Sequence, residues 1–308
     1  MKILLTGTSG QVGHAIQEAL QTLSGQCTLF TPKRDQLDLS QPDLVANTIR
    51  ALQPDLIIHP AAYTAVDRAE SEPVLAHLIN AKAVEVIAAE AKRLNIGLVH
   101  FSTDYVFDGA KRDALGELSP YTESDTPCPI NVYGASKLAG ETAIRASACQ
   151  HLIFRTSWVY SLFGKNFLLT MLKLANERSE LRIVNDQFGT PTSARWIAQV
   201  MQSIVQQLRA ADSPQHWWQQ QQGIYHLTPN GRTTWCDFTK EIMRLAQQNG
   251  LLKQAPPQVI GIPASEYPTP ARRPINSCLD NQRLRQHFSI DIPSWQTALA
   301  ECLQHSRH

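Results

Sequence analysis

Tyr133 and Lys137 stand four residues apart in NVYGASKLAGE, inside a stretch whose apolar spacing predicts a helix over 131–148, so their side chains share one helix face. A phenol held beside an ammonium has a chemical use. At ~5 Å and an effective dielectric of ~20 the attraction is about 3 kcal/mol, which would pull a phenol that normally titrates near 10 down by roughly two units. Tyr133 would then donate and accept protons near neutral pH. Thr103, in the run Ser102-Thr103-Asp104-Tyr105, supplies a hydroxyl that could polarise a carbonyl. Alone, a Tyr-x-x-x-Lys spacing also describes a surface pair whose lysine stem lies along the phenol. Its context must decide between the two.

The context begins at the first residues. GTSGQVG places Gly7, Gly10 and Gly13 at three-residue intervals between an apolar run, Lys2 to Thr6, and an amphipathic stretch, Gln11 to Leu23. Such a turn lets the chain leave a strand tightly, lets backbone approach a pyrophosphate, and sets that anion on the unpaired N–H groups of a helix N-terminus. Gln11 and Val12 share the turn. A second apolar run follows at Cys27 to Thr31, and beyond it the chain reads Thr31-Pro32-Lys33-Arg34. An acidic residue there would select the ribose 2′-hydroxyl of NAD, whereas Lys33 or Arg34 could meet a 2′-phosphate. NADPH is therefore the favoured cofactor, with NADH as the alternative, and Asp38-Leu39 follows at a distance suited to the adenine.

Further strands are expected at Asp55 to His59, Leu98 to Ser102 and His151 to Thr156. Helices are expected at Pro42 to Leu52, Pro73 to Leu94 and Asn131 to Ala148. This alternation predicts an α/β fold, a doubly wound parallel sheet of Rossmann type. Thr103 then falls at a strand end, where such sheets place their ligand chemistry. Residues 1–158 are expected to form the dinucleotide-binding domain and 159–308 a smaller α/β substrate domain, with a possible return to the first around 185–210. Later elements are expected at Asn166 to Arg178, Leu181 to Asn185 and Ala194 to Leu208. The segment Ala211 to Gln222, with its glutamine run and no apolar period, reads as an exposed linker.

Composition narrows the class. The chain has 308 residues, 28 Lys plus Arg against 27 Asp plus Glu, and 43% hydrophobic residues, so it can bury a core and lacks the basic excess that nucleic-acid binding needs. No apolar run approaches the ~18 residues of a membrane span, and MKILLTG is too short for a secretory signal. A cytoplasmic location is expected. The six cysteines are scattered without a C-x-x-C pair, which points to neither a zinc cluster nor a redox motif.

Taken in order, GTSGQVG, Ser102-Thr103 and Tyr133 with Lys137 resemble the extended short-chain dehydrogenase/reductase family. Six further blocks resemble its dTDP-4-dehydrorhamnose reductase branch: AAYTAVDRAESEP (61–73), STDYVFDG (102–109), NVYGASKLAGE (131–141), RTSWVY (155–160), NDQFGTPT (185–192) and YPTPARRP (267–274). The resemblance implies hydride transfer from the nicotinamide to carbon 4 of a dTDP-4-dehydro-6-deoxy-L-hexose. Tyr133 would protonate the alkoxide, Lys137 would bind the nicotinamide ribose, and Thr103 would hydrogen-bond the ketone. Gly10, Gln11 and Val12 would lie on the pyrophosphate, Asp38 and Leu39 by the adenine, and Ala61, Ala62 and Tyr63 along the ribose. Trp158, with Thr64, Val66, Ser102, Asp104 and Tyr105, would wall the sugar pocket. Arg272-Arg273 would clamp the dTDP phosphates, with Asn166, Phe167, Arg182 and Gln187 as further candidates.

Some relatives assemble around magnesium through carboxylates at positions that correspond here to Ala15 and Arg195. Neither residue can serve as such a ligand. The expectation is no metal site, and a monomer or a metal-independent association. Competing readings are a reductase for another nucleotide-linked 4-keto-6-deoxysugar, and a non-catalytic regulatory relative such as the β-type subunit of methionine adenosyltransferase. A dehydratase would be expected to carry an acidic pair beside the catalytic hydroxyl, and Thr103-Asp104-Tyr105 offers one carboxylate.

Overall fold

Branched aliphatic residues dominate the short runs, and each run forms a strand. In the computed structural model, which describes residues 1–23 and 25–305, the order begins β1 (Lys2–Leu5), α1 (Gln11–Gln21), β2 (Thr28–Phe30), α2 (Pro42–Leu52) and β3 (Leu56–His59). Two short helices, α3 (Val66–Ala69) and α4 (Pro73–His77), precede a π-helical turn at Leu78–Lys82, which runs into α5 (Ala83–Leu94). Then come β4 (Gly97–Thr103), α6 (Val132–Ser147), β5 (His151–Thr156) and β6 (Val159–Tyr160). The remainder is α7 (Phe167–Ala175), β7 (Glu180–Val184), β8 (Phe188–Gly189), β9 (Thr192–Ser193), α8 (Ala194–Ala210), α9 (Pro214–Gln221) and β10 (Gly223–His226). It closes with β11 (Thr233–Thr234), α10 (Trp235–Gln248), β12 (Gln258–Ile262), α11 (Gln282–Phe288) and α12 (Trp295–Gln304).

Six strands form one parallel sheet in the order β10-β5-β4-β3-β1-β2. Every residue of β3 and β4 is buried, as a sheet covered on both faces requires. The pleat divides each strand between two cores. Ile3, Leu5 and Ile58 pack with Ile16, Leu20, Ile197 and Met201 on one side, while Leu4 and Ile57 pack with Val45, Ile49, Ile87 and Ile144 on the other. The chain leaves β1 toward one edge for β2 and resumes on the other side of β1 at β3. That reversal opens a crevice beyond the strand C-termini.

A third core, with Leu168, Met171, Leu181, Phe238, Ile242 and Leu299, belongs to a second, smaller unit. Its strands β7 and β12 pair in parallel. Between visits to that unit, α8 supplies Ile197 and Met201 to the core that holds α1, and β10 extends the main sheet beside β5.

Two elements depart from expectation. Residues 211–222 are not a linker throughout: α9 occupies Pro214–Gln221, capped by the Ser213 hydroxyl, which accepts the His216 N–H. Trp217 and Trp218 are buried, and a Cβ on Gly97 would lie 1.9 Å from the Trp218 ring. Two adjacent tryptophans give no helical period, so the segment read as polar. The helix expected over 73–94 is broken by the π turn, whose extra residue places Asn80 in the interior. No helix among the described residues is long and apolar enough to cross a membrane.

Candidate active site

The glycine turn forms one wall of the crevice. Gly7 has φ +65°, and a Cβ there would lie 2.9 Å from Ala61, so glycine is what lets the β1 turn press against the segment leaving β3. A Cβ on Gly13 would lie 2.2 Å from the Gly7 carbonyl oxygen. Gly10, the N-cap of α1, would meet only that oxygen, at 3.4 Å, and otherwise faces open space. The result is a cradle with exposed backbone at a helix N-terminus, and the residues present fit a dinucleotide pyrophosphate. Gln11 ties the cradle to the second unit: its amide donates to the Val159 carbonyl (3.4 Å) and its oxygen accepts the Ser161 hydroxyl (2.9 Å). Val12 packs on the core.

After β2, Arg34 is exposed with its Nε 3.6 Å from Asp38, and the Lys33 backbone is held by Gln36. Asp38 accepts the Ser40 N–H (2.9 Å) and hydroxyl (2.8 Å), bonds that hold its carboxyl below the usual range, while Leu39 packs on the core. Across the crevice, Ala61 and Ala62 lead to Tyr63, whose N–H donates to Asn80 Oδ1 (2.8 Å) and whose carbonyl accepts Asn80 Nδ2 (3.0 Å). Asn80 also donates to the Ser136 hydroxyl (2.9 Å), which donates to the Tyr133 carbonyl (2.7 Å). One buried amide thus links the ribose-side loop to the helix of Tyr133. Nothing in the sequence marked Asn80, an asparagine within a helical pattern.

Helix α6 starts where Asn131 accepts the Gly134 N–H (2.7 Å). A Cβ on Gly134 would lie 2.0 Å from the Tyr105 carbonyl, so glycine allows α6 to press on the end of β4. Tyr105 and Tyr133 meet edge to face at 5.8 Å. Thr103 lies in reach of the Tyr133 phenol and donates its hydroxyl to Asp104 Oδ1 (2.9 Å), so its proton is directed to Asp104. Burial raises Asp104 to about 6, while the Ser277 and Thr103 hydroxyls oppose the rise. Ser102 is buried, and its hydroxyl has no partner among the described residues.

The expected fall in the Tyr133 pKa is reversed. Burial first, and the Asp104 charge second, push the phenol above its usual range, with the Thr103 contact opposing. Lys137 is 1% exposed, and burial draws its amine down to about 7, with Glu141 opposing. The Lys137 ammonium meets His100 Nε2 at 3.1 Å, inward on β4. Sequence spacing put the two side chains on one face; it did not say which way the lysine turns.

The expected sugar-side residues divide. Trp158 has φ +46°, a left-handed backbone rare for an aromatic residue, and stacks on Trp235 at 3.6 Å and 8°. A Cβ on Gly189 would lie 2.4 Å from the Trp158 ring, which explains that glycine. Trp235 escaped the sequence reading because its partner lies in a remote block. Thr64 accepts the Val66 N–H (2.9 Å) at the start of α3. Asn166 is a cap rather than a free amide: Oδ1 accepts the Leu169 N–H (3.0 Å) and Nδ2 donates to the Ser161 carbonyl (2.9 Å). Phe167 packs on Trp235 and Phe238, Arg182 pairs with Glu266 in the open, and Gln187 is half-buried before β8. Arg272 and Arg273 do not form one fork. Arg273 pairs with Asp67 (3.0 Å) and keeps a buried, unpartnered Nε, while Arg272 is exposed and its carbonyl accepts Asn131 Nδ2 (2.8 Å).

Known proteins resemble this chain in sequence and fold. Residues 1–308 match the family model described as RmlD substrate binding domain. The chain is 44% identical over 305 residues to the dTDP-4-dehydrorhamnose reductase of Burkholderia thailandensis, covering 99% of this chain and 98% of that protein. It is 43% identical over 304 residues to the protein of the same name from Escherichia coli strain K12, covering 98% and 97%. A solved dTDP-4-dehydrorhamnose reductase from Bacillus anthracis, in complex with NADP, superposes with a TM-score of 0.85 at 32% identity, covering 99% of both chains. The Thermus thermophilus UDP-glucose 4-epimerase, at 18% identity and a TM-score of 0.74, shares the fold.

Proposed function

The chain belongs to the RmlD substrate binding domain family, and on that premise we propose that it reduces the 4-keto group of dTDP-4-dehydro-6-deoxy-L-mannose with NADPH, giving dTDP-L-rhamnose. The observation that supports this reading is that the Tyr133 phenol lies in reach of the Thr103 hydroxyl at the C-terminal end of β4, with Lys137 one turn further along the same helix, in a fold that also carries a glycine cradle fitting a pyrophosphate. NADPH, when bound, supplies the hydride.

The chain's own residues do the rest. Residues 1–158, with the returning strand and helix, hold the cofactor: Gly7, Gly10, Gln11, Val12 and Gly13 on the pyrophosphate, Ala61, Ala62 and Tyr63 on the ribose. Lys33 and Arg34 favour a 2′-phosphate over a bare hydroxyl, since both are cations at the end of β2. Tyr133, kept protonated by its buried site, is the acid for the alkoxide at carbon 4. A ketone oxygen in the cleft competes with Asp104 for the Thr103 proton. Lys137 orients the nicotinamide ribose. Trp158, Tyr105, Thr64 and Val66 wall the sugar, and Arg272 and Arg273 answer the dTDP phosphates. With Ala15 and Arg195 where carboxylates would be needed, the chain is a monomer or a metal-independent dimer, and light scattering should give one mass with and without chelator.

The test is NADPH oxidation with the dTDP-4-keto-6-deoxy-L-hexose offered beside its UDP counterpart, with the product sugar identified. dTDP-L-rhamnose formed faster from the dTDP substrate supports the reading. No oxidation with either substrate overturns it.

A further inference from the structure

Two buried imidazoles lie behind Lys137 with no part in the reduction as described. His59 ends β3 and His100 lies in β4, and the two are register partners across the sheet. Both are 0% exposed, and their rings stack at 5.5 Å and 25°. Buried polar rings in an aliphatic sheet are costly unless they are bonded. His59 Nδ1 meets the Thr6 hydroxyl at 2.8 Å, and His100 Nε2 meets Lys137 Nζ at 3.1 Å. A polar row therefore crosses the sheet from Thr6, just before the glycine cradle, through His59 and His100 to Lys137. The remaining ring nitrogens, His59 Nε2 and His100 Nδ1, have no protein partner among the described residues.

The chemistry of the donors fixes the tautomer. An ammonium has three donors and no acceptor, so while Lys137 is charged His100 must face it with a bare Nε2 and carry its proton on Nδ1. Burial supports this by holding both rings neutral: His59 is drawn down to about 3, and His100 falls well below its usual value, with the Lys137 charge adding to the effect. Besides the two imidazoles, the charge that acts on Lys137 is Glu141 of its own helix. Tyr133 stands one turn before it, and Glu141 one turn after, with the Glu141 carboxylate held by Arg155 of β5 (2.6 Å). A neutral acceptor, rather than a free carboxylate, holds the lysine.

We propose that His100 is a positioning residue for the reduction: as a neutral acceptor it anchors the Lys137 ammonium beneath the catalytic helix, while His59, pinned by Thr6, holds the His100 ring. The kinetic part of this inference rests on the reductase reading; the spectroscopic part does not.

The experiment has two arms. In substrate-free enzyme at a pH about one unit below the Lys137 pKa, where the lysine is an ammonium, nitrogen NMR of labelled histidines should show His100 neutral, with Nε2 unprotonated. The second arm follows kcat against pH for wild type, His100→Leu and His100→Gln. A hydrogen bond to an ammonium favours the charged form, so its loss lowers the lysine pKa. Activity carried by the ammonium is lost as pH rises through that pKa. The high-pH limb of His100→Leu should therefore move down by about one unit, with KM for the sugar nucleotide unchanged. His100→Gln, which keeps an acceptor oxygen, should restore most of the shift. A proton on His100 Nε2 under those conditions, or a charged ring, overturns the inference whatever the substrate and whether or not the variants fold. An unmoved limb in a folded His100→Leu overturns it too. If wild type reduces no dTDP-keto sugar, the reductase reading fails and the tautomer alone decides the His100–Lys137 contact.

Discussion

Lys137→Met should make the protein more stable at neutral pH while removing its activity. The folded amine titrates near 7 against an ordinary value of 10.5, because burial disfavours the ammonium. A gap of about 3.5 units corresponds to about 5 kcal/mol. The sign follows from proton counting: between the two pKa values the unfolded chain binds more protons, so this lysine destabilises the fold at low pH and the penalty fades as pH rises toward 10.5. It amounts to about 4 kcal/mol at pH 7 and about 1 kcal/mol at pH ~9.5. Methionine keeps the length of the chain and removes the charge, but leaves His100 Nε2 without a donor, a loss of about 1–3 kcal/mol. The variant should therefore gain about 1–3 kcal/mol at pH 7 and roughly nothing, or a small loss, at pH ~9.5. Urea unfolding of both proteins at the two pH values, without cofactor, measures the difference. Cys278 and Cys302, each pushed up to about 11 by burial, lower stability in alkali equally in both proteins and cancel. A Met variant less stable at pH 7, or a difference that ignores pH, would refute the reasoning.

Three further outcomes can be checked directly. Tyr133→Phe should lower kcat by about 10²–10⁴ while leaving far-UV circular dichroism and NADPH binding intact; turnover within a factor of a few would remove the tyrosine from the mechanism. Gly13→Ala sets a methyl 2.2 Å from the Gly7 carbonyl, so the cradle must open. Its NADPH affinity, read by fluorescence titration, should weaken at least about tenfold, with about 1–3 kcal/mol of stability lost. Neutralising Lys33 and Arg34 together should raise the Kd for NADPH but not that for NADH, measured by calorimetry; equal effects on both would deny them the 2′-phosphate.

The sheet was legible because its signal is local. Runs such as LIIH and HLIFRT, bounded by turn residues, recur between amphipathic helices, and the glycine spacing fell where a strand meets a helix. Tyr133 and Lys137 were legible for the same reason, as neighbours on one helix face. What escaped depends on tertiary contact. The direction of the Tyr133 shift is set by burial against Asp104, and the lysine turns to a histidine from another strand. Asn80 lies in a π turn that no apolar spacing announces. Trp235 acquires meaning only through Trp158, and the capping bonds of Asn166 are invisible until α7 is built.

On the proposed function, the contacts of the loop after β12 would bear on how a sugar nucleotide reaches Tyr133. The loop through Arg272 and Arg273 is clipped at two points: Asn131 holds the Arg272 carbonyl, and Asp67 takes both the Ala271 N–H (3.3 Å) and the Arg273 guanidinium. Asn131 is also the residue whose carboxamide starts α6, two positions before Tyr133. A ligand anion that draws Arg273 away from Asp67 therefore loosens one clip and leaves the other, which bears on the first turn of the catalytic helix. The ion pair is half-exposed and worth little by itself, on the order of 1 kcal/mol or less, so a doubly charged diphosphate can displace it. On the proposed function, recognition of the nucleotide and placement of the phenol would share one short segment, with Arg273, paired with Asp67 in the free chain, as the group that would answer the diphosphate.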